Sequence, residues 1–312
     1  MSEHCHCHDE EHLYHDHSCE EQSKYEYVLN EYADTPTDED IARAIKKAGE
    51  KVEKNKNKEV LKEIYACLDL TTLKCTDNAE SVLALTEKVN ALEEKYPDLK
   101  NVAAICVYPS LVETVKKTLN QPIGIASVAA GFPSSQTFPE IKVAECAMAV
   151  AAGATEVDIV ISIGKFLEGN YQEVYDEIAE IKSAIHGSHL KVILETGALK
   201  SVENIYRASI LAMAAGSDFI KTSTGKIATN ATPEATYVMC HAIKDWKEKT
   251  GQKVCYKPAG GVSTTEEAVV HYTLVKAILG NDWLNNESFR FGASRLANNL
   301  LTSILGQETK YF

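Results

Sequence analysis

The sequence predicts an α/β fold of the (β/α)8 kind, a TIM barrel with an N-terminal helical extension and a disordered tail rich in His and Cys. Three observations carry that expectation. From about residue 61, short β-branched or apolar runs alternate with longer stretches of helical spacing. The short runs number eight across roughly 250 residues, which is the count and length of such a barrel. No Gly-x-Gly-x-x-Gly follows the first run, so a competing doubly wound sheet lacks its usual nucleotide fingerprint.

Taken in order, residues 1–22 hold six of the ten histidines, three of the nine cysteines and seven acidic residues, with no Lys or Arg. So polar a segment cannot build a core and reads as a disordered tail. His4, Cys5, His6, Cys7 and His8 offer imidazole and thiolate ligands, as do His12, His15, His17 and Cys19 further on. That makes the tail a candidate binder of divalent metal, although its spacing is too dense for a standard zinc finger. Residues 23–60 read as a helical lead-in, with Thr37-Asp-Glu-Asp40 starting a helix before Ile41. Residues 61–312 then form the barrel. Its strands are expected at Tyr65–Leu70, Val102–Tyr108, Ile123–Val128, Glu156–Ile161, Leu190–Thr196, Asp218–Thr222, Lys253–Lys257 and Phe289–Gly292. The spacing predicts helices between them, for example over Asp77–Lys95, Phe138–Ala152, Val202–Ala215 and Pro233–Lys249.

Composition limits the partners. A net charge of −13 argues against nucleic acid or an anionic membrane surface as the main ligand, so an anionic substrate needs a local positive pocket. Nine cysteines, odd in number and mostly inside apolar runs, fit reduced thiols. With no apolar leader and no run near the ~18 residues of a membrane span, the expectation is a cytoplasmic protein.

Two lysines carry the strongest chemical signal. Lys221 and Lys257 end consecutive strand-like runs, and a glycine-containing turn follows each. Neighbouring parallel strands lie about 4.8 Å apart. One ammonium there depresses the pKa of the other, and a neutral lysine attacks carbonyls. A barrel places catalytic groups at the carboxyl ends of its strands and commonly binds phosphate in its last loops. Gly225-Lys226, Gly260-Gly261 and Gly292-Ala-Ser294 occupy those loops, where backbone N–H groups can approach an anion or simply reverse the chain. Asp158 is a carboxylate inside an apolar strand, suited to proton relay or to a structural ion pair. Asp69 and Cys106 also lie near strand ends, the first fitting a hydrogen-bonding role at the site and the second fitting core packing.

Those segments are similar to the signatures of the deoxyribose-phosphate aldolase family. The likeness lies in Asp-Phe-Ile-Lys221-Thr-Ser-Thr-Gly-Lys226, Tyr-Lys257-Pro-Ala-Gly-Gly-Val, Glu-Val-Asp158-Ile-Val and Phe-Gly-Ala-Ser294. It runs from about 60 to 305 through Asp69-Leu-Thr-Thr-Leu, Ala-Ala-Ile-Cys106-Val-Tyr-Pro, Ser-Val-Ala-Ala-Gly-Phe-Pro133 and Leu-Glu-Thr-Gly197. The resemblance implies a class I aldolase of deoxyribose breakdown, with no metal or other cofactor, that reversibly cleaves 2-deoxy-D-ribose 5-phosphate to glyceraldehyde 3-phosphate and acetaldehyde. It implies Lys221 as Schiff-base nucleophile, Lys257 as the cation that lowers its pKa, and Asp158 as a proton-transfer residue. Gly225, Lys226, Gly260, Gly261, Gly292 and Ser294 match its phosphate positions. Asp69, Thr71 and Cys106, near neighbouring strand ends, join them as candidate substrate-binding residues. Lys74 and Arg295 depart from the pattern. Tyr311 matches, by its terminal place, a tyrosine that assists proton transfer in some members. The expected partner is a small sugar phosphate, with self-association into a homo-oligomer. Two alternatives stand beside this reading: another Schiff-base aldolase or transaldolase, and a metal-binding protein working through the tail.

Overall fold

The computed structural model describes residues 24–32 and 34–312. The tail and its candidate metal ligands lie outside the described residues. Eight parallel strands form one sheet: β1 (Leu68–Thr71), β2 (Ala104–Val107), β3 (Gly124–Val128), β4 (Glu156–Val160), β5 (His189–Ile193), β6 (Phe219–Lys221), β7 (Cys255–Lys257) and β8 (Phe291–Ala293). They pair in the order β7-β6-β5-β4-β3-β2-β1-β8. Parallel bridges Tyr256 to Phe289 and Ala259 to Gly292 join the two ends and close a TIM barrel.

Helices lie between the strands and cover the outside of the barrel, while its inner face is filled by the strands' own side chains. The large core, which includes Val157, Ile159, Val192 and Ile220, fills the space between barrel and helices. A second, small cluster of Ala104, Cys106, Ala126, Val128 and Leu73 lines the inside on the β1 to β3 side. Across the barrel the inward positions are charged instead.

Among the described residues, three helices precede β1. Thr37 caps Asp38–Asn55 by accepting a hydrogen bond from the Asp40 N–H at 3.2 Å. Ile41 and Ala48 of that helix are buried, and its last residue, Asn55, donates to Thr273 at 2.9 Å within the helix Thr265–Ile278. Lys58–Ala66 is also helical, because Val60, Leu61, Ile64 and Tyr65 recur at helical spacing and are all buried. This shortens the expected first strand, which begins at Leu68 rather than Tyr65. The last expected strand likewise starts later, at Phe291. The expected helix Asp77–Lys95 is two helices, Ala79–Asn90 and Leu92–Lys95.

At the carboxyl terminus, the Tyr311 and Phe312 N–H groups both donate to Asn298, at 2.8 and 3.0 Å, and Asn298 donates back to the Phe312 carbonyl at 2.9 Å. The Tyr311 hydroxyl donates to the Lys88 carbonyl at 2.7 Å, which fastens it to the helix Ala79–Asn90 outside the barrel. Among the described residues no helix is long and apolar enough to cross a membrane, and all six cysteines are free.

Candidate active site

The register of the sheet decides which side chains meet. Lys221 sits opposite Lys257 across the β6 to β7 ladder, and Asp158 sits opposite Lys191 across β4 to β5. Residues two apart on a strand share a face, so Glu156 stands below Asp158 on the same side. Gly124 on β3 leaves room for it, since a Cβ there would lie 2.8 Å from the Glu156 Oε1.

The result is a connected set of buried charges. Lys221 Nζ donates to Asp158 Oδ2 at 2.8 Å, and Lys257 Nζ donates to the same oxygen at 2.8 Å. Lys257 also donates to Asp69 Oδ2. Lys191 donates to Glu156 and, at 3.0 Å, to Asp69 Oδ2, while approaching Asp158 Oδ1 at 3.3 Å as a charge contact only. Arg290 completes the set, with Nη1 donating to Asp69 Oδ1 at 2.6 Å and Nη2 donating to Glu156 Oε1 at 3.0 Å. All seven residues are buried.

This environment separates the two lysines. Burial drives the Lys221 amine below the ordinary lysine range; Asp158 opposes that, and the Lys257 ammonium adds to it. Burial also works against the charge on Lys257, but there Asp158 and Asp69 together prevail and hold its pKa above the ordinary value. Desolvation would raise Asp158, yet Lys191, Lys221 and Lys257 keep it well below the usual carboxylate range. Asp69 is lowered in the same way: Lys191, Lys257 and Arg290 outweigh its burial. The Cys106 thiol is pushed up by burial, with Asp158 adding to the effect, so it stays protonated beside the lysines.

Three turns converge above these lysines. Gly225, Gly260 and Gly261 have φ of 78°, 76° and 80°, the left-handed region that glycine adopts readily. The turns after β6 and β7 touch: a Cβ on Gly225 would lie 3.5 Å from the Gly260 Cα. Gly292 packs so close to β7 that a Cβ would sit 2.8 Å from the Ala259 Cβ and 3.1 Å from the Lys257 Cε. Ser294 stands exposed at the start of the helix Arg295–Leu305. Lys226 reaches across to the loop after β1, donating to the Leu73 carbonyl at 2.6 Å. Glu195, itself at φ 57°, steadies this loop by accepting from the Thr224 N–H at 3.2 Å and its hydroxyl at 2.5 Å.

The structure thus brings Lys221, Lys257, Asp158, Asp69 and Cys106 together, with Gly225, Lys226, Gly260, Gly261, Gly292 and Ser294 at the mouth. Thr71 sits at the edge of the same end, its hydroxyl donating to the Asp69 carbonyl at 2.8 Å. Asp69 has both oxygens occupied by cations, which makes it a counterion of the lysines first. Lys74 and Arg295 are exposed. Tyr311 is not at this site. Sequence reasoning missed Lys191, Glu156 and Arg290. The signal was there, a charged residue inside an apolar strand or between Phe289 and Phe291, and it had been followed only for Asp158.

A buried amine, its paired cation and a shared carboxylate at the strand ends of a barrel describe a lyase that handles carbonyl compounds. The sequence comparison gives the same class: residues 64–298 match the profile of the DeoC/LacD family aldolases, and the chain belongs to that family. It is 44% identical over 249 residues to the deoxyribose-phosphate aldolase of Mus musculus, covering 75% of this chain and 77% of that one. The Homo sapiens enzyme of the same name is 42% identical over 249 residues, again across 75% and 77% of the two chains. Among solved structures, the tetrameric deoxyribose phosphate aldolase of Aeropyrum pernix shares the fold with a TM-score of 0.62, at 22% identity over 86% of this chain and 98% of that one.

Proposed function

We propose that this chain is a class I aldolase that reversibly cleaves 2-deoxy-D-ribose 5-phosphate to glyceraldehyde 3-phosphate and acetaldehyde through an imine on Lys221. The observation that carries the reading is a pair of buried neighbouring lysines that share Asp158 Oδ2 at 2.8 Å each, while Lys257 alone of the two also holds Asp69. A neutral Lys221 attacks the substrate carbonyl, water leaves, and the iminium draws electrons from the adjacent carbon as the carbon–carbon bond breaks. Asp158 Oδ1 accepts no hydrogen bond and is the group suited to taking, through water, the proton that the reacting hydroxyl loses as the bond breaks. Lys257 remains an ammonium and stabilises charge on the departing oxygen. The glycine turns and Lys226 supply N–H groups and a cation for the phosphate. Among Schiff-base enzymes, a transaldolase is the second reading, and the names of the relatives favour the first.

Borohydride reduction in the presence of acetaldehyde tests the chemistry. An ethyl adduct on the Lys221 peptide is expected by mass spectrometry, together with release of acetaldehyde from the sugar phosphate. Absence of both would remove the imine.

Self-association belongs to the same proposal. Phe138, Ile141 and Met148 are 74%, 54% and 71% exposed along the helix Pro139–Ala151 and its first cap, a row of apolar side chains suited to a second copy. Sedimentation of the wild type against Ile141→Lys would show it.

A further inference from the structure

The buried cluster that includes the two reacting lysines contains more positive than negative groups. Among the described residues, Lys191, Lys221, Lys257 and Arg290 contact only three carboxylates, Asp69, Glu156 and Asp158. Every member is buried, where an unbalanced charge is unfavourable. One proton is therefore in excess. Arg290 cannot give it up, because guanidinium stays charged in proteins. Lys191 touches three carboxylates and Lys257 touches two, whereas Lys221 has only half a share of Asp158 Oδ2.

We propose that Arg290 is a positioning residue for the imine chemistry: by taking Asp69 and Glu156 as partners, its permanent charge leaves the cluster one counterion short and makes Lys221 the group that relieves the deficit. The inference rests on the imine reading above and extends it to a residue from the segment leading into β8. The groups facing Lys221 are Asp158 from β4, Lys257 from β7 and Cys106 from β2. Behind them stand Asp69 from β1, Lys191 from β5 and Glu156 from β4, and only the protonated Cys106 among all these carries no charge. Phe219 closes the layer from one side, with the Arg290 guanidinium carbon 5.6 Å and the Lys191 nitrogen 5.7 Å from its ring centre. Water is thus kept from screening Arg290, and its field reaches Lys221 at low effective dielectric.

The test measures the rate of acetaldehyde-dependent borohydride trapping at Lys221 as a function of pH in four proteins: wild type, Arg290→Gln, Glu156→Gln and the double variant. Arg290→Gln equalises the charges, so Lys221 keeps its proton longer and the acid limb of the profile should move up by about one pH unit. Glu156→Gln deepens the excess and should move the limb down. The double variant restores a single excess cation and should return the limb to the wild-type position. A residue needed only for packing would not be rescued by deleting a second buried charge. An unmoved limb in Arg290→Gln, or a double variant that keeps the Arg290→Gln position, overturns the inference. If Arg290→Gln does not fold, the downward movement in Glu156→Gln and the wild-type position of the double variant decide in its place. A wild-type protein that is not trapped at all would instead overturn the imine reading, so the two failures are distinct.

Discussion

Lys221 and Lys257 donate to one and the same oxygen, Asp158 Oδ2, each at 2.8 Å. Two ammonium groups cannot share a single buried acceptor at ease, and Lys257 has Asp69 as well. The asymmetry of their partners is therefore an asymmetry of protonation, and under the proposed imine chemistry it favours Lys221 as the nucleophile.

Lys221→Arg should abolish turnover while leaving the fold intact. Guanidinium preserves the charge against Asp158 but has essentially no neutral form with which to attack a carbonyl. Steady-state assay with circular dichroism checks it. Retention of more than a few per cent of the wild-type rate would move the nucleophile to another lysine.

Lys226→Ala should raise KM for the phosphorylated sugar strongly and change turnover of unphosphorylated deoxyribose little. Lys226 lies in the exposed loop after β6, away from the buried lysine pair, so it fits anion binding rather than bond cleavage. Equal proportional losses with the two substrates would assign it to the chemistry.

His271 gives the stability of the barrel a dependence on acid. Burial lowers its pKa from 6.5 to about 4, its Nδ1 lying 2.7 Å from the Thr236 hydroxyl, which also accepts from Tyr256 of β7. The folded state keeps this ring neutral while the unfolded chain protonates it near 6.5, so stability is full above that pH. It falls as pH drops from about 6.5 to about 4, by on the order of 3 kcal/mol. Urea unfolding at a series of pH values should show a shallower decline in His271→Gln than in the wild type. Parallel declines would place the titration elsewhere.

Deleting residues 1–22 should leave kcat and KM nearly unchanged and remove zinc binding measured by calorimetry, since the six histidines and three cysteines there are soft ligands. An imine supplies the electron sink of the proposed reaction, so EDTA should inhibit neither form. Inhibition reversed by added zinc would point to a metal-dependent aldolase.

Much of this architecture could be read from the chain because parallel barrel strands are buried on both faces and stand out as apolar runs. Boundaries were less legible where a helix ran up to a strand. Tyr65 is apolar enough for either, and only its packing with Val60, Leu61 and Ile64 on one helix face settles it. Lys221, Lys257 and the glycine turns were legible because their types and places are unusual. Lys191, Glu156 and Arg290 each interrupt an apolar run as Asp158 does, but that they meet one another is legible only once register and burial bring them together. The docking of Tyr311 on Lys88 depends on contacts far apart in sequence, which no local pattern records.

The buried floor of Asp69, Lys191, Glu156, Arg290 and Phe219 seals the barrel axis below the lysines. Among the described residues the way in and out is then the loop end, where Gly225 and Lys226 are exposed. In the proposed cleavage, the fragment carrying the phosphate stands at that doorway while the two-carbon fragment is still tethered to Lys221 beneath it. A one-door chamber imposes sequence on departure: the phosphorylated aldehyde leaves first and acetaldehyde second, and in the synthetic direction acetaldehyde must be loaded before its partner.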